Sequence, residues 1–162
     1  MEVGAVQFAH SEFAERAPFQ YRACGLDNVY LTSGYEQKIV GGETYTAVVE
    51  ADDLYKAIAE HLVRRRKVLR GQEVRFLRKL LGWTQADAGD ALGMSDQSVA
   101  RYEKDQGSME GPTDRLFRLY VLGHLDGLID PAKVLEEIRQ SDSLTNDNLV
   151  LEHEGDQWKI AA

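Results

Sequence analysis

The segment that decides the fold is residues 75–107, RFLRKLLGWTQADAGDALGMSDQSVARYEKDQG. Its apolar residues recur at helical spacing in three short segments separated by turn signals. Thr84 and Ser95 precede the second and third segments, where a hydroxyl can cap a helix, and Asp87 favours a capping box with Thr84. Gly93 suits a tight turn, because glycine adopts positive φ without steric cost. Two short helices joined by such a turn form a helix-turn-helix.

Each predicted helix carries one apolar stripe that would face a shared core. The first helix ends near Leu81, the second covers residues 85–92, and the third runs from Asp96 to about Lys104. The side chains expected to be buried lie three and four residues apart. They are Val74, Leu77, Leu80 and Leu81 on the first helix, Ala88, Ala91 and Leu92 on the second, and Val99 and Tyr102 on the third.

The third helix is the one that would read bases. In a helix-turn-helix the second of the paired helices lies in the major groove of DNA. Gln97 and Arg101 are four residues apart and share a face, and their side chains make bidentate contacts with adenine and guanine, respectively. Asp96 and Ser98 are further candidates for base contacts. The alternative is that Gln97 and Arg101 are a solvated helix face.

Phosphate contacts are expected at helix starts and from a basic belt. The net charge is −8, but residues 61–83 carry eight basic residues and one acid, whereas residues 125–162 carry nine acids and three bases. DNA responds to this local potential more than to the net charge, although a solvated helix face is the alternative for residues 64–67. The predicted phosphate contacts are Thr84, Gln85, Ser95, Lys104, Arg64, Arg65, Arg66 and Lys67.

Two stretches, LRKLLGWTQ and LGMSDQSVARYEK, resemble the Xre/Cro-type helix-turn-helix, and more specifically the DNA-binding half of MqsA-like antitoxins. The resemblance covers about residues 71–124. It implies that an Asn and an Arg four apart read bases, which fall on Gln97 and Arg101, so the Asn is replaced by Gln here. It also implies a structural ion pair between Arg78 and Glu103, and a domain of five helices.

The N-terminal half predicts a small α+β unit. Three β-rich runs, residues 28–32, 35–40 and 44–49, are separated by Ser33-Gly34 and Gly41-Gly42, which favours a three-stranded antiparallel meander. A helix capped by Asp52 or Asp53 and reaching about Arg66 would cover one face of the meander. Its buried stripe is Leu54, Ile58 and Leu62.

Neither a metal nor another cofactor is predicted. MqsA-like antitoxins carry a zinc-binding N-terminal domain with two Cys-x-x-Cys pairs, whereas Cys24 is the single cysteine of this chain. A structural zinc normally takes four ligands, largely Cys and His. One cysteine also excludes an internal disulfide and fits a reducing compartment. Residues 1–16 show no secretory signal and no run approaches the roughly 20 apolar residues of a membrane span, so a cytoplasmic protein is expected.

The remaining segments predict two more helices and a hairpin. Pro112 begins a fourth helix with Leu116, Leu119 and Tyr120 facing inward, and Gly123 marks its end or a close helix contact. A fifth helix starts at Asp130-Pro131. Residues 149–153 and 157–160 form a β-hairpin whose Trp158 packs on its own domain or, alternatively, anchors a dimer. Val134, Leu135 and Ile138 are the predicted buried residues of the fifth helix.

The predicted organisation is α+β: an N-terminal arm (1–26), a meander plus helix (27–70), an all-α helix-turn-helix domain (71–140) and an acidic tail with a hairpin (141–162). No phosphate-binding Gly-rich loop, nucleophile elbow or metal-ligand cluster suggests an enzyme. We expect a sequence-specific DNA-binding regulator, a homodimeric repressor of its own operon that binds a palindromic double-stranded operator. The alternative is a protein-interaction module that neutralises a small toxin, with DNA binding secondary.

Overall fold

The computed structural model describes residues 17–109, 111–127, 137–138 and 148–161. Strands and helices follow in this order: β1 (Phe19–Gln20), β2 (Val29–Leu31), β3 (Tyr35–Val40), β4 (Glu43–Val48), α1 (Ala51–Arg65), α2 (Gly71–Leu80), α3 (Gln85–Leu92), α4 (Asp96–Tyr102), α5 (Gly111–Asp126), β5 (Leu149–Glu154) and β6 (Gln157–Ile160). The chain is therefore a mixed α+β protein, as predicted.

Four strands from both ends of the chain form one sheet in the order β1-β2-β5-β6. β2 pairs with β1 antiparallel and with β5 parallel, with Val29 opposite Leu149 and Leu31 opposite Leu151. A parallel pair needs a long crossover, and here the described part of the crossover contains β3, β4 and the helices α1 to α5. The predicted C-terminal hairpin is present as β5 and β6, and it belongs to the same sheet as the strand at residues 29–31.

The predicted three-stranded meander is wrong. Only β3 and β4 pair with each other, in a separate two-stranded sheet, while β2 lies in the four-stranded sheet. The burial of the strands explains the difference. Val29 and Leu31 are fully buried and therefore need partners that bring apolar side chains, which β5 supplies. Most side chains of β3 are exposed, so this hairpin needs no second layer.

Helix α1 lies at the centre of the core, between the four-stranded sheet and α5. Leu54, Ile58 and Leu62 are fully buried, which confirms the predicted stripe. Trp158 of β6 is buried too, and its Nε1 donates a hydrogen bond to the carbonyl of Val49 at 2.9 Å. The prediction that Trp158 packs on its own domain is confirmed.

Neither Asp52 nor Asp53 caps α1. The N-cap residue is Glu50, which adopts the left-handed conformation (φ 46°) and makes no side-chain capping bond. The two aspartates lie inside the first turn, where negative charge still interacts favourably with the helix dipole. The predicted cap lies two or three residues after the observed N-cap. Acidic residues are favourable both at the N-cap and in the first turn of a helix, so the sequence does not distinguish the two positions.

The inward face predicted for the fourth helix is wrong for two of its three residues, since only Leu119 is partly buried against the core. Leu116 and Tyr120 are 40% and 41% exposed, whereas Phe117 and Val121 are buried. The orientation follows from Arg118, which is fully buried and donates hydrogen bonds to carbonyls at the end of α1 and beyond it. The carbonyls that accept these hydrogen bonds from Arg118 belong to Val63 (3.0 Å), Arg66 (2.6 Å) and Lys67 (3.2 Å).

The fourth predicted helix continues past Gly123. Gly123 lies inside α5, which ends at Asp126 and is followed by Gly127 at positive φ. The predicted start at Asp130-Pro131, with Val134 and Leu135, falls outside the described residues. Residues 137–138 are helical and Ile138 is buried, as predicted.

Candidate nucleic-acid interface

The helix-turn-helix is built from α3 and α4. Thr84 caps α3 by a reciprocal box: its Oγ1 accepts a hydrogen bond from the Asp87 amide (3.1 Å), and its own amide donates to Asp87 Oδ2 (2.7 Å). Gly93 ends α3 in the left-handed conformation, with φ 69°. The bounds of α3 are those predicted. The Thr84 cap, the helical spacing of the apolar residues and the terminal Gly93 all indicate the same helix in this segment.

The turn brings α3 and α4 into close contact. A Cβ at Gly89 would lie 2.6 Å from the carbonyl oxygen of Met94, so only glycine fits there without a shift. Ser95 caps α4, its Oγ accepting from the Ser98 amide at 3.1 Å. Val99 is buried. Helix α4 ends at Tyr102, two residues before the predicted end.

Glu103 fixes the end of α4 to the rest of the unit. It is buried, and Arg78 of α2 donates to it from Nε (2.5 Å) and Nη2 (3.2 Å). Gln85 donates a further hydrogen bond at 2.9 Å. Burial alone would raise the pKa of Glu103, but the hydrogen bonds from Arg78 and Gln85 and the charge of Arg78 outweigh it, and the pKa is lowered. The ion pair implied by the family resemblance is therefore present.

The exposed side of α4 presents the predicted base-reading residues together. Gln97, Arg101 and Asp96 are exposed and Ser98 is half-buried. No hydrogen bond or ion pair within the described residues holds the side chains of Gln97 or Arg101. The carboxylate of Asp96 accepts from the Gln97 amide at 2.8 Å, and the hydroxyl of Ser98 lies 3.0 Å from that of Ser95. Gln97 and Arg101 are thus the two side chains available to an external partner.

The predicted phosphate contacts divide into free and engaged groups. Arg65, Lys67 and Lys104 are exposed. Arg66 is buried against Glu73, with Nε 3.0 Å from its Oε1, which argues against phosphate contact. Arg64 pairs with Glu137 at 2.7 Å and with Glu60 at 3.2 Å. Sequence reasoning missed these pairs because Glu73 and Glu137 approach the basic run only through the tertiary fold.

The start of α3 is a poorer anion site than predicted. The hydroxyl of Thr84 donates to Asp87 at 2.7 Å, and the Gln85 amide group donates to Glu103. The exposed Asp87 carboxylate accepts hydrogen bonds from the backbone amide and the hydroxyl of Thr84, and these bonds lower its pKa. A phosphate at this helix start would therefore meet a negative charge.

Sequence reasoning also missed Arg75. Its side chain is half-exposed, and its Nε lies 3.5 Å from Oε2 of Glu103 at the end of α4. With Lys104 and Arg101 it places three basic residues about the C-terminal half of α4. The available signal is helical spacing, because Arg75 and Arg78 are three residues apart on one helix and reach the same carboxylate.

The described part of the chain has neither a metal-binding cluster nor a helix that could cross a membrane. No group of three or more His, Cys, Asp or Glu side chains there could hold a metal ion. Among the described helices, none combines the length and the apolar character needed to cross a membrane.

The segment that contains the helix-turn-helix matches a known protein family. Residues 74–109 match the family model described as Helix-turn-helix. Neither the curated proteins nor the solved structures contain a significant match to the chain. The matched residues cover most of α2, all of α3 and α4, and the loop that follows. Residues 74–109 are therefore similar to the helix-turn-helix family, and this segment supports a role of the chain as a DNA-binding regulator.

Proposed function

We propose that this protein is a sequence-specific transcriptional repressor that binds a palindromic operator of its own operon as a homodimer, and that it is antitoxin-like. The observation that carries the proposal is the exposed pair Gln97 and Arg101 on α4, which no described residue engages. Their chemistry fits adenine and guanine edges, and the rigid caps of α3 and α4 hold them in a fixed orientation. We also propose a cytoplasmic location and a regulatory rather than catalytic role.

Arg101 is the residue whose loss should affect specificity most. Arg101→Ala removes a bidentate donor to guanine and is expected to weaken operator binding by about 1–3 kcal/mol while relaxing base preference. The measurement is binding of the purified full chain to its own upstream DNA and to scrambled DNA of equal length, over a salt series. Lys38→Ala is the matched control, since it also removes one exposed cation but lies on the β3–β4 hairpin.

Two outcomes would contradict the repressor proposal. One is weak binding with no preference for the upstream DNA. The other is selective binding that Arg101→Ala leaves unchanged. A steep loss of affinity with salt in the wild-type chain, without selectivity, would indicate phosphate contact alone.

The hairpin supports a second candidate function, binding to a partner protein. Ile39, Val40 and Tyr45 are 76%, 62% and 55% exposed on β3 and β4. Scattered exposed apolar residues are common, but three on one hairpin, Val40 and Tyr45 on one face and Ile39 on the other, favour contact with another surface. In this second proposal the chain binds and neutralises a small toxin, and DNA binding is secondary. Non-selective DNA binding in the experiment above would favour it.

A further inference from the structure

The solvent side of α5 carries a shallow apolar groove that the helix-turn-helix does not use. Leu116, Leu119, Tyr120, Gly123 and His124 line it. Leu116 and Tyr120 are large apolar side chains that remain about two-fifths exposed. They lie on a stripe of α5 next to the one formed by the buried residues Phe117 and Val121, so α5 has one apolar stripe on the core and a second one on the solvent.

We propose that this groove is a self-association surface, and that its occupant is α5 of a second copy of this chain, packed antiparallel about a two-fold axis near Tyr120. The surface deepens the proposed function, because two copies present two recognition helices to a palindrome. The proposal rests on the proposed function in one respect, the requirement for two half-sites. The groove itself is observed on α5 independently of that function.

The arrangement of charges along α5 favours a second copy over another partner. Arg115 and Asp126 lie eleven residues apart, which is close to three helical turns, so they occupy the same flank of the groove at opposite ends. A two-fold axis midway between them reverses one helix relative to the other. Arg115 then lies beside the partner's Asp126, and the reverse pair forms as well. Asp126 is 47% exposed, and its ion pair with Arg64 is long at 3.7 Å.

The shape of the groove is consistent with the same axis. The midpoint between Leu116 and His124 is Tyr120, which nearly coincides with the midpoint between Arg115 and Asp126. Reversal about this point sets each Leu116 near the partner's Gly123 and His124. A Cβ at Gly123 would meet no atom within 4 Å, so the helix offers a notch that a large side chain can fill. One patch that complements itself in this way is the requirement for an isologous dimer.

Tyr120 also links this surface to the DNA-binding unit. Its ring meets that of Trp83 edge-on, with centroids 5.1 Å apart. The carbonyl of Trp83 accepts a hydrogen bond from Arg78 at 2.6 Å, and Arg78 holds Glu103 at the end of α4. Packing on Tyr120 would therefore fix a side chain that directly precedes the cap of α3.

The test is the concentration dependence of molecular mass, by sedimentation equilibrium on the full chain without DNA. The wild-type chain is expected to form a dimer. Leu116→Asp buries a charge in the dimer and is expected to raise the dimer dissociation constant by about tenfold or more. Val68→Asp is the matched control, because it makes the same change at an exposed apolar residue that does not line the groove, and no shift is expected. Circular dichroism checks that both variants are folded.

A second measurement does not depend on introducing a charge. A residue at a two-fold axis lies closest to its own copy, so Tyr120→Cys in a Cys24→Ser background should form a disulfide-linked dimer under mild oxidation. Val68→Cys in the same background should not. A monomeric wild-type chain, an unchanged dissociation constant for folded Leu116→Asp, or equal cross-linking at both positions would overturn the proposal. The sedimentation measurement contains no DNA, so its result is independent of the operator-binding experiment. A chain that is monomeric in the first and binds its operator selectively in the second would overturn this surface and leave the repressor function standing.

Discussion

At the scale of single residues, Glu103 joins three parts of the DNA-binding unit. It follows α4 directly, pairs with Arg78 of α2 and accepts from Gln85 of α3. A buried carboxylate is costly unless charges and donors compensate it, and here three side chains do so, Arg75 being the third. The position of the α4 face that we propose reads bases therefore depends on one buried charge.

Glu103→Gln should destabilise the protein strongly. The substitution keeps the shape but leaves the buried Arg78 without its counter-charge, and breaking a buried pair costs about 3–5 kcal/mol. The measurement is urea unfolding at pH 7 followed by circular dichroism. Glu36→Gln on the exposed hairpin is the matched control and should change the free energy of unfolding by less than about 0.5 kcal/mol. Equal stabilities of the two variants would show that Glu103 contributes nothing.

The same pair predicts the sign of a pH dependence. Because the folded-state pKa of Glu103 is lowered, its stabilising contribution is complete above the ordinary glutamate pKa of about 4.3. That contribution is lost as the pH falls through the lower folded-state value. The stability difference between wild type and Glu103→Gln should therefore shrink when unfolding is repeated in acid. A constant difference would contradict the charge-based explanation.

At the scale of elements, close backbone approach at Gly89 defines the helix-turn-helix. Gly89→Ala places a methyl group against the carbonyl of Met94, an atom of the backbone that cannot rotate away. Overpacking of this kind costs about 1–3 kcal/mol. We expect a lower melting temperature and weaker operator binding, because α4 would shift relative to α3. Asp90→Ala, an exposed neighbour on the same helix, should leave the melting temperature near that of the wild type.

Helix α5 shows what an apolar pattern leaves open. Its sequence has two apolar stripes, Leu116 with Tyr120 and Phe117 with Val121, and helical spacing alone does not rank them. Arg118 and Asp114 decide which stripe is buried. Both lie on the side of Phe117 and form an ion pair at 2.9 Å. Arg118 also donates hydrogen bonds to the carbonyls at the end of α1. A pattern of apolar residues carries no information about carbonyl groups on another helix.

At the scale of the whole molecule, the chain closes on itself through β2 and β5. The parallel pairing of residues 29–31 with residues 149–151 spans almost the full sequence. The side chain of Asp27 also accepts hydrogen bonds from the helical part of the chain, from Arg70 at 3.1 Å and from Gln72 at 2.6 Å. The buried apolar residues of the sheet, α1, α2 and α5 belong to one cluster. The described parts therefore share one core.

A shared core predicts one cooperative unfolding transition. Trp158 lies in the sheet, and Trp83 lies between α2 and α3, so each tryptophan reports on one part of the molecule. In Trp83→Phe and in Trp158→Phe, the fluorescence of the remaining tryptophan should change at the same denaturant concentration as the circular dichroism. Separate midpoints in either variant would show that the sheet and the helix-turn-helix unfold independently.

Local features of the sequence were enough to predict the helix-turn-helix. Thr84, Ser95 and Gly93 fix the ends of α3 and α4 through bonds within a few residues. The exposed positions of Gln97 and Arg101 follow from helical period. The ion pair of Arg78 with Glu103 came from a family resemblance, since twenty-five residues separate the two.

Long-range contacts decided the rest, and no local pattern contains them. The partner of β2 lies about 120 residues away in β5, so pairing by sequence proximity gave a meander that does not exist. The basic run at residues 64–67 divides into exposed and engaged side chains only because Glu73 and Glu137 approach it in the folded chain. The sequence alone determined the helices of the helix-turn-helix and the exposed positions of Gln97 and Arg101. Tertiary structure determined which strands pair, which face of α5 is buried and which charges remain free, because each depends on groups that meet only after folding.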